Sequence, residues 1–99
     1  MMVEVTWEPI RVETGTAEED GRLVLVNGKL VAVVVRLSDD HLMPDLQGKW
    51  FVEAGFGPLL ERYAIFPTFE AVEAWVRQTF EDMARHGSGW ASLGNHTRH

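Results

Sequence analysis

The most regular hydrophobic pattern in the chain is the stretch from Arg22 to Leu37, which reads RLVLVNGKLVAVVVRL. Two apolar runs, rich in β-branched residues, flank Asn27-Gly28. A two-residue type I′ turn needs a positive φ at both central positions, and Asn-Gly adopts these angles readily. The pattern therefore predicts a β-hairpin that turns at Asn27-Gly28. Its paired positions are then Val26 with Lys29, Leu25 with Leu30, and Val24 with Val31.

Alternation of apolar and polar residues predicts further strands on both sides of the hairpin. Residues 3–12 alternate loosely, and residues 49–56, KWFVEAGF, alternate again after a long loop. Residues 63–66 are a possible short fifth strand. Pro9 cannot donate to a strand ladder, so the first strand is expected to lie at a sheet edge or to bend there.

The pattern changes to a helical period after Pro67. Thr68 is a suitable N-cap, because its hydroxyl can accept a hydrogen bond from a free backbone N–H of the first turn. Gly87 suits the position that follows a helix. Between Thr68 and Gly87, apolar residues recur at steps of three and four, as one helical stripe requires. The stripe comprises Phe69, Val72, Trp75, Val76, Phe80 and Met83.

These elements predict the α+β class: a two-layer domain in which an antiparallel meander of four to five strands is packed by one C-terminal amphipathic helix. The helix must bury its stripe, and the sheet is the large apolar surface available for it. At 99 residues the chain is expected to form one domain, residues 1–87, followed by a tail, residues 88–99.

The hairpin is apolar on both of its faces, although a helix can cover only one. By alternation, one face carries Leu23, Leu25, Leu30, Ala32 and Val34. The other face carries Val24, Val26, Val31, Val33, Val35 and Leu37, interrupted by Arg22 and Lys29. Exposed apolar patches larger than a few hundred Å² usually mark interfaces. We therefore expect a homodimer, with Ala32, Val33 and Trp90 as possible interface residues. The alternatives are that the N-terminal strand or the tail folds across the second face, or that the sheet curls.

Composition and charge narrow the class of protein. The formal net charge is −6 and the nine basic residues are scattered, so direct binding to nucleic acid is not expected. The chain has no cysteine, which excludes disulfides and thiolate metal sites. Its N-terminus lacks the pattern of a signal peptide, and no apolar run approaches the ~20 residues of a membrane helix. We therefore expect a cytoplasmic protein that does not bind membranes.

Two groups of polar residues are candidates for chemistry. Asp39, Asp40, His41 and Asp45 lie in the loop of residues 38–48, where carboxylates and an imidazole could hold a divalent metal or act as an acid–base pair. Their spacing matches no calcium loop, and Asp-rich loops are ordinary turn sequences. Glu53 alternates into a strand, where burial would raise the pKa of its carboxyl. We expect no cofactor, no metal and no catalytic residue.

The order of strands followed by FEAVEAWVRQTF is similar to the small sheet-and-helix domains of HicB-type antitoxins. Asp45-Leu46-Gln47-Gly48 stands where that family has a DLPG-like turn, and no DNA-binding pattern follows the helix. The resemblance covers the middle of the chain and rests on element order, so no family is assigned. The pattern favours a small non-enzymatic binding or assembly module that self-associates. The alternative is a small-molecule-binding or hydrolytic domain with its site near residues 38–48.

The loop of residues 38–48 is predicted to bind no divalent metal tightly. Calcium, magnesium or zinc should leave the melting temperature unchanged after dialysis against a chelator, because a ligand that binds only the folded state would raise it. Thermal unfolding monitored by circular dichroism checks this. A saturable rise at stoichiometric metal, abolished by combining Asp40→Asn with His41→Ala, would establish a metal site and favour the enzymatic alternative.

Overall fold

The computed structural model describes residues 2–15, 20–38 and 43–86. They form a five-stranded antiparallel sheet and a helix that follows it, which confirms the predicted two-layer α+β arrangement. The strands neighbour one another in chain order, so the sheet is a meander. The elements are β1 (Val5–Arg11), β2 (Asp20–Val26), β3 (Lys29–Arg36), β4 (Trp50–Gly55), β5 (Ile65–Phe66) and α1 (Phe69–His86).

The β2–β3 hairpin turns at the predicted residues. Asn27 has φ 51° and Gly28 has φ 84°, so both lie in the left-handed region. Asn27 has a second role that the turn pattern did not reveal. Its side-chain Oδ1 accepts a hydrogen bond from the backbone N–H of Glu4 (2.8 Å), and its Nδ2 donates to the carbonyl of Met2 (3.1 Å). The turn therefore also holds the segment that precedes β1 against the sheet.

The predicted hairpin register is correct for two pairs and wrong for the third. Leu25 pairs with Leu30, but Val24 pairs with Ala32, because a β-bulge leaves Val31 without a direct partner. A bulge inserts one residue and reverses the alternation beyond it. Val31 and Ala32 are consequently both buried in the core, whereas simple alternation placed them on opposite faces. The backbone carbonyl of Val31 accepts a hydrogen bond from the N–H of Phe56 (2.9 Å).

A second irregularity lies between β3 and β4. Val33 pairs with Ala54 and Val34 with Val52, so Glu53 has no direct partner in the ladder. Glu53 is exposed to solvent. The burial expected of this side chain is therefore absent.

The helix packs its stripe on one face of the sheet. The Oγ1 of Thr68 accepts a hydrogen bond from the N–H of Ala71 (3.1 Å), as expected of an N-cap. Phe69, Val72 and Val76 are buried, whereas Phe80 is half-buried near the hairpin end. The core also contains Val3, Val24, Val26, Val31, Ala32, Val34, Trp50, Val52 and Leu59.

A tight turn after β4 closes one side of this core. A Cβ atom at Gly55 would lie 2.0 Å from the carbonyl oxygen of Leu59, so only glycine permits this approach of the two backbone segments. Leu59 ends a 3-10 turn over Gly57–Leu59 and is fully buried, whereas the next residue, Leu60, is 63% exposed. The turn therefore places one of two adjacent leucines in the core and the other on the surface.

Truncating Leu59 is predicted to destabilise the fold much more than truncating Leu60. Leu59→Ala should reduce the free energy of unfolding by about 2–5 kcal/mol, because it leaves a cavity in the core. Leu60→Ala removes the same atoms from an exposed position and should change it by less than about 0.5 kcal/mol. Chemical denaturation of both variants measures the difference. Equal effects would show that the Gly57–Leu59 turn does not pack on the core.

Candidate functional site

Of the predicted polar site residues, the structure describes Asp45 and Glu53. Asp39, Asp40, His41 and Trp90 lie outside the described residues. Asp45 is exposed in a 3-10 turn over Pro44–Leu46, and Glu53 is exposed in β4. Within the described ranges, no three histidine, aspartate or glutamate side chains are placed to hold a metal ion. In the same ranges, α1 is not apolar enough to cross a membrane.

The sheet surface opposite the helix is apolar. Residues that pair directly across antiparallel strands project to the same face, so the register defines this surface. Leu30 is 40% exposed and Ile65 is 43% exposed, and the others are half-buried by their neighbours. We call this surface the open face, and it comprises Leu23, Leu25, Leu30, Val33, Phe51, Ala54 and Ile65.

One end of the same sheet surface is already covered. Val35 is 2% exposed and Leu37 is 7% exposed, although neither belongs to the core cluster under the helix. A Cβ atom at Gly21, which pairs with Val35, would lie 2.7 Å from Cγ2 of Val12. The side chain of Val12 therefore lies over this end, and the open face begins beyond it.

The two sheet residues named as possible interface positions lie on different faces. Ala32 is fully buried in the core on the helix side, because the bulge at Val31 turns it inward. Val33 pairs with Ala54 and is half-buried on the open face. Of these two positions, only Val33 is accessible to a partner in the folded chain.

A second feature lies on the helix side, at the start of α1. The guanidinium carbon of Arg22 lies 3.9 Å from the ring centroid of Trp7, 4.2 Å from that of Phe69 and 4.7 Å from that of Trp50. The ring of Phe69 contacts both tryptophans edge-on, with centroids 5.5 Å and 5.3 Å apart. Arg22 is thus surrounded by three aromatic rings, which attract a cation to their faces.

Arg22 also lines a pocket of about 420 Å³ at this end of the sheet. Arginines from three neighbouring strands contribute to its wall: Arg11 from β1, Arg22 from β2 and Arg36 from β3. Pro9 and Trp50 supply apolar wall. Neither Asp45 nor Glu53 belongs to this wall, so the pocket differs in chemistry from the acidic site considered from the sequence.

Another concavity, of about 310 Å³, lies at the hairpin end of the molecule. Its wall is largely apolar and includes Leu30, Phe56, Pro58 and Phe80. Catalytic pockets combine an apolar wall with several converging polar groups. The described polar residues in the wall of this concavity are Asn27 and Lys29. One amide and one cation do not form a set of converging catalytic groups.

Comparison with known proteins assigns no family to this chain. No family model, no curated protein and no solved structure matches it.

The arginine pocket was missed from the sequence because its members are far apart along the chain. In the sequence pattern, Arg22 is only a charge that interrupts an apolar strand face. The informative signal was that Trp7, Arg22 and Trp50 all occupy positions of their strands that alternate toward the core. Only the strand register shows that these positions meet.

Proposed function

We propose that this chain is a small non-enzymatic binding and assembly module that forms a homodimer through its open face. The supporting observation is an apolar sheet surface that no described part of the chain covers between Leu25 and Phe51. Among the described residues, no group of histidine, aspartate and glutamate side chains is placed to hold a metal ion, so none favours a metal-dependent enzyme. The proposal therefore rests on surface chemistry.

The size of the open face suits a weak dimer. Neighbouring strands lie about 4.8 Å apart and rise about 3.4 Å per residue, so β2, β3 and β4 span a surface of roughly 14 Å by 24 Å. A surface of this size matches the largest apolar patch of a typical monomer, which is often functional, and two copies of it fall in the range of small, reversible interfaces. We therefore expect a dimer that dissociates on dilution.

The strand edges are poorer candidates than the face. β1 contains Pro9, which lacks a backbone donor, and β5 is two residues long. Both features limit the addition of a strand from another chain. Association through the face is therefore favoured over association through an edge.

A second copy of the chain is the partner that matches this surface most directly. The positions of β2 and β3 on the open face are aliphatic, and the β1 positions beside them include Thr6 and Glu8. An apolar centre beside a polar margin is typical of protein interfaces. Two such faces related by a two-fold axis bury apolar surface against apolar surface and desolvate no central charge.

Val33→Glu is predicted to convert the dimer into a folded monomer. A carboxylate at the centre of the interface would be buried without a partner, which should weaken association by about 3–5 kcal/mol, or more than about a hundredfold in dissociation constant. Sedimentation velocity from micromolar to near-millimolar concentration measures the association. Far-UV circular dichroism verifies that the variant is folded.

Ala74→Glu is the matched control, because it adds the same charge at an exposed position of α1. It should sediment like the unmodified protein. The proposal is contradicted if the unmodified chain stays monomeric over the whole concentration range, which would mean that another part of the chain covers the face. It is also contradicted if the two variants dimerise equally well.

A further inference from the structure

We propose that the pocket around Arg22 is a binding site for a small organic anion, with a carboxylate or phosphate group on the Arg22 guanidinium. This inference is independent of the dimer, because the pocket and the open face lie on opposite sides of the sheet. Its basis is the combination of a caged guanidinium, a concavity of about 420 Å³ and a local excess of positive charge. Pockets for small ligands begin at about 300 Å³.

The aromatic cage fixes Arg22 without using its hydrogen-bond donors. The three rings approach the guanidinium carbon to 3.9–4.7 Å, and they offer no oxygen acceptor to its five N–H donors. Among the described residues, no carboxylate forms an ion pair with Arg22, and no buried side-chain nitrogen or oxygen lacks a partner. The donors of Arg22 are therefore accessible at the pocket. A held guanidinium edge is suited to bidentate recognition of a carboxylate or phosphate.

The strand register explains why the positive charge gathers here. Arg22 lies between Pro9 of β1 and Val34 of β3, and Arg11 and Arg36 follow two residues later along those strands. All three arginines therefore project to the helix side of the sheet, near the end where α1 begins. Trp50 of β4 lies opposite Arg36 in the strand register, so its side chain projects to the same side of the sheet as the three arginines.

The pocket wall has an excess of positive charge in a chain whose formal net charge is −6. Its described ionisable residues are three arginines and Asp20. Asp20 lies opposite Arg11 in the β1–β2 register. Arg11 and Arg36 each have further interactions of their own, so the assignment rests on Arg22 and not on them. The net negative charge of the chain repels anions elsewhere on its surface, so binding at Arg22 should be localised.

Nuclear magnetic resonance of the arginine Nε–H groups tests this site directly. Because ring currents act on a caged guanidinium, the Arg22 signal should be displaced from those of exposed arginines. Inorganic phosphate, acetate and benzoate are titrated separately at constant ionic strength, with chloride as the balancing anion. Saturable movement of the Arg22 signal is expected with each anion. Benzoate should bind more tightly than acetate if its ring packs on Pro9 and Trp50. A tighter response to phosphate than to either carboxylate would assign the site to phosphorylated ligands.

Variants separate the role of Arg22 from general electrostatics. Arg22→Gln should weaken binding about tenfold or more, because it removes a charge-assisted hydrogen-bonding pair. Arg22→Lys keeps a cation among the rings but loses the planar fork, so it should bind with intermediate affinity. Arg62→Gln is the matched control, because Arg62 is exposed and does not line the pocket.

Two results would overturn the proposal. One is linear, parallel movement of the Arg22 and Arg62 signals, which would indicate ionic screening only and a structural role for Arg22. The other is unchanged anion affinity in folded Arg22→Gln. If Arg22→Gln fails to fold, the titration of the unmodified protein and the Arg22→Lys variant decide the question. Val33→Glu is expected to lose dimerisation but to keep the anion response of the unmodified protein. Either proposal can therefore be contradicted without the other.

Discussion

The helix can cover only one face of the sheet, and the rest of this structure follows from that constraint. An 18-residue helix is about 27 Å long and about 10 Å wide. It buries Phe69, Val72 and Val76 against the inner sides of the central strands, where the core is formed. The opposite sides of those strands are also apolar. The sequence thus contains more apolar surface than its described elements can enclose, and the excess lies together on the open face.

The bulge at Val31 decides which residues belong to each face. Without it, Ala32 and Val34 would share the face of Leu30, and Val33 would face the helix. The extra residue reverses this order, so the small Ala32 and the branched Val34 pack beneath the helix. Larger exposed aliphatic groups are left on the open face. On the β4 side, the backbone N–H of Phe56 donates to the Val31 carbonyl and continues the β3–β4 pairing by one residue beyond Ala32 and Gly55.

The two ends of the sheet differ in the side chains that pack there. Near the start of α1, the aromatic rings of Trp7, Trp50 and Phe69 enclose a cation instead of another apolar side chain. At the hairpin end, Asn27 ties the turn to the preceding segment, and the Nη1 of Arg77 donates to the carbonyl of Val3 (2.8 Å). The first segment is therefore held from both the hairpin and the helix. Charged side chains take part in this packing and are not confined to solvation.

The sequence by itself determined the elements, because the interactions that specify them are local. Asn27-Gly28 defines the turn through backbone sterics, Thr68 caps the helix through a neighbouring N–H, and the two periodicities separate strands from helix. It also indicated that the hairpin would be apolar on both faces. It did not determine the face of each residue in β3 and β4, because one unpaired residue reverses the alternation. The approach of Trp7, Arg22, Trp50 and Phe69 was decided only by the tertiary structure, because it depends on the register of three strand pairs and the placement of the helix.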